Sequence, residues 1–285
     1  PLVFHVDGGW NTDIAVQNIS QLINKLGVEL FTEVINWEEM RDFQLAMFKS
    51  GVPHLDIPQD MAFIGVLYKF ANKYGIKTIL NGGNISTESV QRPFNLIYYG
   101  ADLKQSKDIL KKFTKNKMKT YPFTSVFFHK IWLRYFRKVK VFKPLNFLDF
   151  RKANAIQELQ ENYNWIPYTQ KHFESRFTKF YEGYWLPTRF DFDMRKVELS
   201  SMILTNQITR EEALEILKEP SLSKIEIKNE FKFISNKLDI TEDELKCFLE
   251  MPKKYFWDYS NNHRILSLGE KILQLLGSSR RGGAF

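Results

Sequence analysis

The sequence predicts an α/β protein with a parallel sheet covered by helices, followed by a mostly helical C-terminal region. Short β-rich runs alternate with helical apolar patterns in the first half of the chain. Strands that alternate with helices predict parallel pairing through right-handed crossovers. The second half has few strand-like runs. We therefore assign an α/β domain to residues 1–150 and a helical domain to residues 151–285.

Three β/α units support the first assignment. Gly27 and Gly75 follow apolar helical patterns, as expected of residues that end helices. The strands are predicted at Leu2–Val6, Val28–Val34 and Ile76–Leu80. Because the ligands of such sheets bind beyond the carboxyl ends of the strands, the segments after these strands are the first candidates for a site.

The helical domain shows two helix starts and the single cysteine. Thr209–Glu212 and Thr241–Glu244 have the spacing of capping boxes and precede periodic apolar stretches. Cys247 lies in the second of these stretches. A lone cysteine on a helical pattern is typical of a buried structural thiol, which we predict here in preference to a nucleophile.

The positive charge of the chain is concentrated in one segment. Lys and Arg number 41 against 33 Asp and Glu, a net charge of +8. Between Lys104 and Lys143 there are 13 basic residues and the single acid Asp108, a local charge of +12. This band favours an anionic partner: nucleic acid, lipid head groups or a nucleotide-linked small molecule. The alternative is a solvated basic helix face.

The sequence contains neither the pattern of a membrane-spanning helix nor that of a zinc site. No apolar run reaches the roughly 18 residues of a spanning helix, so we expect no membrane span and a cytoplasmic location. The five histidines and the lone cysteine do not have the spacing of a zinc site.

Small and polar residues follow two of the predicted strands. Asp7-Gly8-Gly9 follows the first strand, and Asn81–Glu88, which contains Gly82 and Gly83, follows the third. Glycines at such positions allow a backbone to approach a phosphate closely. Ordinary turns are the alternative for each pair of glycines, but two pairs at the strand ends of one sheet indicate a ligand site.

Two carboxylates lie near the same predicted edge. Asp60 is close to the start of the third helix, and Glu88 follows the glycine turn. Together they could hold Mg²⁺ through oxygen and water ligands. Asp60 is equally well explained as a favourable charge at a helix N-terminus.

The segment from Lys171 to Trp185 combines aromatic residues with His172, Glu174 and Arg176. Aromatic faces and charged hydrogen-bonding groups are common in sugar sites. The alternative is a seam between domains, with the aromatic residues in the core and the charges paired. Both interpretations remain open from the residues alone.

Six segments in order along the chain resemble the bacterial N-acetyl sugar amidotransferases, enzymes of the PP-loop (ATP pyrophosphatase) class. The segments are Asp7–Thr12, Asp56–Asp60, Gly82–Glu88, Lys143–Leu145, Glu174–Phe177 and Tyr181–Pro187. The resemblance implies a Rossmann-like sheet of the adenine nucleotide alpha-hydrolase type. It also implies a role in making acetamidino sugars for lipopolysaccharide or flagellin glycans.

The family chemistry implied by the resemblance is an ATP-dependent ligation that forms AMP. The acetamido oxygen of an N-acetyl sugar takes AMP from ATP, and ammonia then displaces AMP to leave an acetamidino group. The implied cofactors are ATP and Mg²⁺, and the implied partners are ammonia-supplying glutaminase and synthase-like subunits, with no nucleic acid. An RNA-modifying PP-loop enzyme and a non-catalytic partner-binding protein are the alternatives.

The resemblance also implies roles for individual residues. The residues implied for ATP are Asp7, Gly82, Gly83, Asn84, Thr87 and Lys143. The implied catalytic residues are Asp60 and Glu88, and those implied for the sugar are His172, Glu174 and Arg176.

One family segment has no counterpart in this sequence. In the family, a first strand leads into Ser-Gly-Gly-x-Asp-Ser, whose backbone amides hold pyrophosphate. Residue 1 corresponds to the second strand, so the expected sheet is N-terminally truncated. We therefore expect little or no pyrophosphate release from ATP by this chain.

Overall fold

The computed structural model of the chain describes residues 2–275. Its strands are β1 (Val3–Asp7), β2 (Leu30–Val34), β3 (Thr78–Leu80) and β4 (Lys140–Phe142). Its first helices are α1 (Asp13–Leu26), α2 (Trp37–Ser50), α3 (Ile57–Lys73), α4 (Ile85–Glu88) and α5 (Leu103–Phe113). A π-helix at Phe128–Phe136 and a 3-10 helix at Pro144–Phe147 flank β4.

The rest of the described chain is mostly helical. It contains α6 (Lys152–Tyr163), α7 (Arg176–Phe180), α8 (Leu186–Phe190), α9 (Arg195–Leu204), α10 (Arg210–Lys218), α11 (Lys224–Leu238), α12 (Glu242–Glu250) and α13 (His263–Leu275). A π-helix at Tyr181–Trp185 connects α7 to α8, and Phe256–Asp258 form a 3-10 turn. Both predicted capping boxes are present, at the starts of α10 and α12.

The strands pair in parallel, in two separate pairs among the described residues. In the first pair, Val3 of β1 lies opposite Leu30 of β2. In the second, Thr78 of β3 lies opposite Lys140 of β4. The parallel pairing agrees with the sequence-based expectation, but no hydrogen-bonded ladder joins the pairs within residues 2–275. A nucleotide-binding sheet therefore stays a prediction.

Helix α3 packs against both strand pairs. The ring of Phe70 stacks on Phe4 of β1, with 5.4 Å between ring centroids. On the other pair, Ile64 and Tyr68 of α3 join Ile79 of β3 in a second buried cluster. Burial of these apolar side chains fixes the directions of β1 and β3 relative to one helix.

The main hydrophobic core extends across the predicted domain boundary. Buried Val6 and Phe43 of the first half share it with buried Phe177 and Ile234 of the second. The ring of Phe48 lies 4.8 Å from that of Trp185. The change near residue 150 therefore separates two kinds of secondary structure, while the core is continuous.

One sequence-based expectation in the helical region is wrong. Cys247 is exposed, although its helical pattern predicted burial. Helix α12 turns Leu245 inward, fully buried, and this rotation leaves Cys247 on the outer side. In the part of the chain that the structure describes, no helix is long and apolar enough to cross a membrane.

Candidate functional site

The loop after β3 is held in a fixed conformation by its own side chains. The Asn81 side chain accepts a hydrogen bond from the backbone N–H of Gly83 at 2.7 Å. Asn84 caps the short helix α4 by accepting from the N–H of Thr87 at 2.9 Å. Asn146, just after β4, accepts from the N–H of Ile85 at 2.8 Å. The loop is thus anchored to the neighbouring strand end.

Gly83 lies where two predicted site side chains meet. A Cβ atom at this position would lie 3.0 Å from Lys143 Nζ and 3.1 Å from Glu88 Oε2. The absence of a side chain therefore lets the ammonium and the carboxylate approach the backbone. The loop thereby brings together three residues assigned to ATP or catalysis from the sequence.

Glu88 links this loop to the segment predicted to bind the sugar. Lys171 donates a hydrogen bond from Nζ to Glu88 Oε1 at 2.6 Å. Burial opposes ionisation of Glu88, but the hydrogen bond and charge of Lys171, with the charges of Lys143 and His172, outweigh it and lower the pKa of Glu88. Glu88 is therefore an ionised carboxylate between two lysines at neutral pH.

His172 is the next group along the same surface. It adopts a left-handed backbone conformation, with φ at 68°, which is uncommon for a residue other than glycine. Its Nδ1 lies 3.2 Å from Glu182 Oε1. Burial would lower the pKa of His172, but the charge and hydrogen bond of Glu182 raise it to about 9. The imidazole is therefore cationic at neutral pH.

A second carboxylate lies behind Glu182. Asp56 precedes α3 and accepts hydrogen bonds from Thr178 Oγ1 at 2.9 Å and from Gln59 Nε2. Burial and the nearby charges of Asp60 and Glu182 raise the pKa of Asp56 to about 8. These contacts connect the start of α3 to α7, so the two halves of the site are joined by polar as well as apolar contacts.

Asp60 and Glu88 have different partners. Asp60 Oδ2 lies 3.8 Å from Nε2 of His54, whose Nδ1 lies 2.9 Å from the carbonyl oxygen of Tyr98. Within residues 2–275, no group of three or more His, Cys, Asp or Glu side chains is arranged to hold a metal ion. The described residues thus provide no complete ligand set for Mg²⁺, and its binding stays a prediction.

The turn at Asp7 contacts the backbone of the sugar segment. Asp7 Oδ1 accepts from the N–H of Gly9 at 2.8 Å. The N–H of Thr12 donates to the carbonyl oxygen of Glu174 at 2.9 Å, and the N–H of Arg176 donates to that of Trp10 at 2.8 Å. Two segments that are far apart in the sequence therefore run side by side next to Asp7.

Arg176 is occupied by contacts within the helical region. Its guanidinium forms an ion pair with Glu230 at 2.9 Å and lies 3.3 Å from the ring centroid of Phe233. The side chain of Glu174, by contrast, is exposed. Of the three residues proposed for the sugar, His172 is the one in direct contact with the groups around Glu88.

The structure adds Lys171, Glu182 and Asp56 to the site residues proposed from the sequence. Lys171 and Glu182 lie within the charged aromatic segment from 171 to 185, and Asp56 begins one of the six family-like segments. Helical periodicity could not predict the contact between His172 and Glu182, because His172 lies outside any helix and has a left-handed backbone conformation.

The site is a row of charged side chains. Glu88 pairs with Lys171 and His172 pairs with Glu182, while the charge of Lys143 acts on Glu88. The cations Lys143, Lys171 and His172 can hold phosphates, since phosphate oxygens accept charge-assisted hydrogen bonds. The carboxylates can accept hydrogen bonds from hydroxyl or ammonium groups.

The comparison with protein families gives one match. Residues 174–273 are similar to the family described as the LPS biosynthesis protein WbpG-like, C-terminal domain. No curated protein matches the chain. The match covers 100 of the 285 residues and includes Arg176, Glu182 and α9 to α12. It associates the helical part of this chain with lipopolysaccharide biosynthesis.

Proposed function

We propose that this chain has the nucleotide and sugar sites of an ATP-dependent amidotransferase that converts the acetamido group of a nucleotide-linked N-acetyl sugar into an acetamidino group for lipopolysaccharide biosynthesis. The single observation that carries the proposal is the Glu88–Lys171 ion pair at 2.6 Å. It joins the glycine loop that resembles an ATP site to the segment that resembles a sugar site, 83 residues further along the chain.

The topology of the strands supports the nucleotide-binding part of the proposal. Neighbouring strands of a doubly wound sheet are parallel, and its ligands bind beyond their carboxyl ends. The pairs β1–β2 and β3–β4 are parallel, and the Asp7 and Gly83 turns lie at the carboxyl ends of β1 and β3.

In the proposed reaction, ATP is a substrate. The acetamido oxygen attacks the α-phosphorus, and the bond to pyrophosphate breaks. Ammonia then adds to the activated carbon, AMP leaves with the former amide oxygen, and the nitrogen loses a proton. Lys143 binds phosphate beside Gly83, and the ionised carboxylate of Glu88 accepts the proton. The cationic His172 donates a hydrogen bond to the sugar or its phosphates.

Ligand-induced stabilisation of the purified chain tests the proposal. Mg²⁺-ATP and a nucleotide-linked N-acetylhexosamine are added separately and together, and the unfolding temperature is recorded. At a ligand concentration of about 100 Kd, binding stabilises by about 2.7 kcal/mol, which raises the unfolding temperature by several degrees. Lys143→Gln should lose the response to ATP, and Lys171→Gln the response to the sugar nucleotide.

Lys224→Gln, an exposed lysine at the start of α11, is the matched control and should respond like the unmodified chain. The proposal fails if neither ligand raises the unfolding temperature, or if Lys143→Gln and Lys171→Gln respond like the control.

A further inference from the structure

The π-helix at Phe128–Phe136 carries a row of exposed apolar side chains at its start and along its length. The exposed fractions range from 42% for Ile131 to 66% for Phe136. The row consists of Phe127, Ile131, Trp132, Tyr135 and Phe136, and we call it the aromatic stripe. No described segment of the chain covers it, so these side chains face water in the isolated protein.

The winding of the helix produces the stripe. In a π-helix the hydrogen bonds run from residue i to residue i+5, so side chains four and five apart lie on one side. The members of the stripe have this spacing, and the rings of Trp132 and Phe136 stack with centroids 5.0 Å apart. Leu133, buried to 1% exposure, and Phe128 face the other way into the cluster under α3. The helix is thus fixed to the protein with the stripe outward.

The surroundings of the stripe are cationic. Arg134, Arg137 and Lys138 are exposed, and none of them forms an ion pair with a carboxylate among the described residues. Residues 109–148 contain 11 Lys and Arg and not a single Asp or Glu. Part of the basic band predicted from the sequence, namely Arg134, Arg137 and Lys138, therefore lies beside an exposed aromatic face.

We propose that the aromatic stripe and its cationic border bind the surface of an anionic phospholipid bilayer, with the π-helix lying in the plane of the interface. Tryptophan and tyrosine are favoured at membrane interfaces, and Lys and Arg are attracted to anionic head groups. A helix with an apolar side and a basic border buries the apolar side among the lipids. This inference does not depend on the proposed reaction.

Two features favour lipid over the other anionic partners. The exposed Arg134, Arg137 and Lys138 beside the stripe have no carboxylate partner among the described residues, which favours the negative head groups of a bilayer. Binding of single-stranded RNA would use aromatic faces for base stacking, but Trp132 and Phe136 already stack on each other. Ile131, 42% exposed, has no aromatic ring on which a base could stack, so only burial in an apolar environment would stabilise it.

Co-sedimentation of the full chain with vesicles tests the proposal. Phosphatidylcholine vesicles with phosphatidylglycerol should bind the protein, and pure phosphatidylcholine vesicles should bind it far more weakly. Arg134→Gln with Arg137→Gln should weaken binding about 25-fold, at about fivefold per charge. Trp132→Ser with Phe136→Ser should weaken it by more than about tenfold. Brominated lipid should quench the fluorescence of the chain, and Trp132→Phe should reduce that quenching.

The matched controls are Ile225→Ser and Lys224→Gln on α11, where Ile225 is 75% exposed. Both should bind vesicles like the unmodified chain, and all variants should keep its unfolding temperature. The proposal is overturned if anionic vesicles do not bind the chain, or if the controls lose as much binding as the stripe variants. It is also overturned if the chain binds RNA or a protein through the stripe and does not bind anionic vesicles.

Discussion

Replacement of Asp56 by asparagine should stabilise the protein increasingly as the pH rises. The Asp56 carboxylate accepts from Thr178 and Gln59, and burial, Asp60 and Glu182 raise its pKa from 3.8 to about 8. In the unfolded chain the carboxyl ionises near its ordinary pKa. Between these two values the folded state holds a proton that the unfolded state has released, so folding loses stability as the pH rises. Asparagine has a similar shape and does not titrate.

The size of the effect follows from the pKa shift. Each pH unit between the two pKa values costs up to about 1.4 kcal/mol of stability. Asp56 is half-buried as a residue, so water screens part of this cost, and we expect about half of it. From pH 5 to pH 8 the Asp56→Asn protein should therefore gain about 2 kcal/mol relative to the unmodified chain.

Urea unfolding at pH 5, 6, 7 and 8, followed by tryptophan fluorescence, measures this difference directly. Asp149→Asn serves as the control, because the side chain of Asp149 is 90% exposed, and its stability difference should not change with pH. If the difference in unfolding free energy between the Asp56→Asn protein and the unmodified chain stays constant from pH 5 to pH 8, Asp56 is not a carboxyl that is protonated in the folded state.

Two further predictions concern the packing of α3 and the charge of the site. Gly65→Ala should destabilise the chain by about 2–3 kcal/mol in urea unfolding, because the new Cβ would lie 1.9 Å from the carbonyl oxygen of Pro122. Gly269→Ala is the control and should not destabilise the chain, because a Cβ at that position meets no atom within 4 Å. Glu182→Gln should move the pKa of His172, measured by NMR titration, from about 9 towards 6.5. If this pKa does not change, a group other than Glu182 stabilises the cationic form of His172.

The elements of the fold and the ends of its helices could be predicted because their signals are local. A capping box needs a serine or threonine and, three residues later, a glutamate or glutamine, and both predicted pairs form caps. A third box, Ser223 with Glu226 at the start of α11, was not predicted. The strands β2 and β3 also lie within the predicted β-rich runs, and β1 overlaps its run but extends one residue further, to Asp7. The π-helix was not predicted, because the four-residue spacing of its apolar side chains is also found in an α-helix and does not reveal hydrogen bonds from residue i to residue i+5.

The candidate site was only partly predictable, because its contacts are long-range. The sequence indicated Glu88 and His172 as separate groups, but Lys171, which joins them, was not proposed for either role. Arg176 illustrates the reverse case. Its aromatic surroundings suggested a sugar site, while its guanidinium pairs with Glu230, 54 residues away, on a helix whose rotation the sequence does not specify.

The composition of the lipopolysaccharide made by cells carrying a Glu88→Gln substitution in the chromosomal gene tests the central claim most directly. Glu88 is central to the row of charges at the site, and Glu29→Gln, at an exposed position before β2, is the matched control. With both proteins at normal levels, mass spectrometry should show that the Glu88→Gln cells replace an acetamidino sugar by its N-acetyl counterpart, while the control cells keep it. Unchanged lipopolysaccharide in the Glu88→Gln cells would contradict the account.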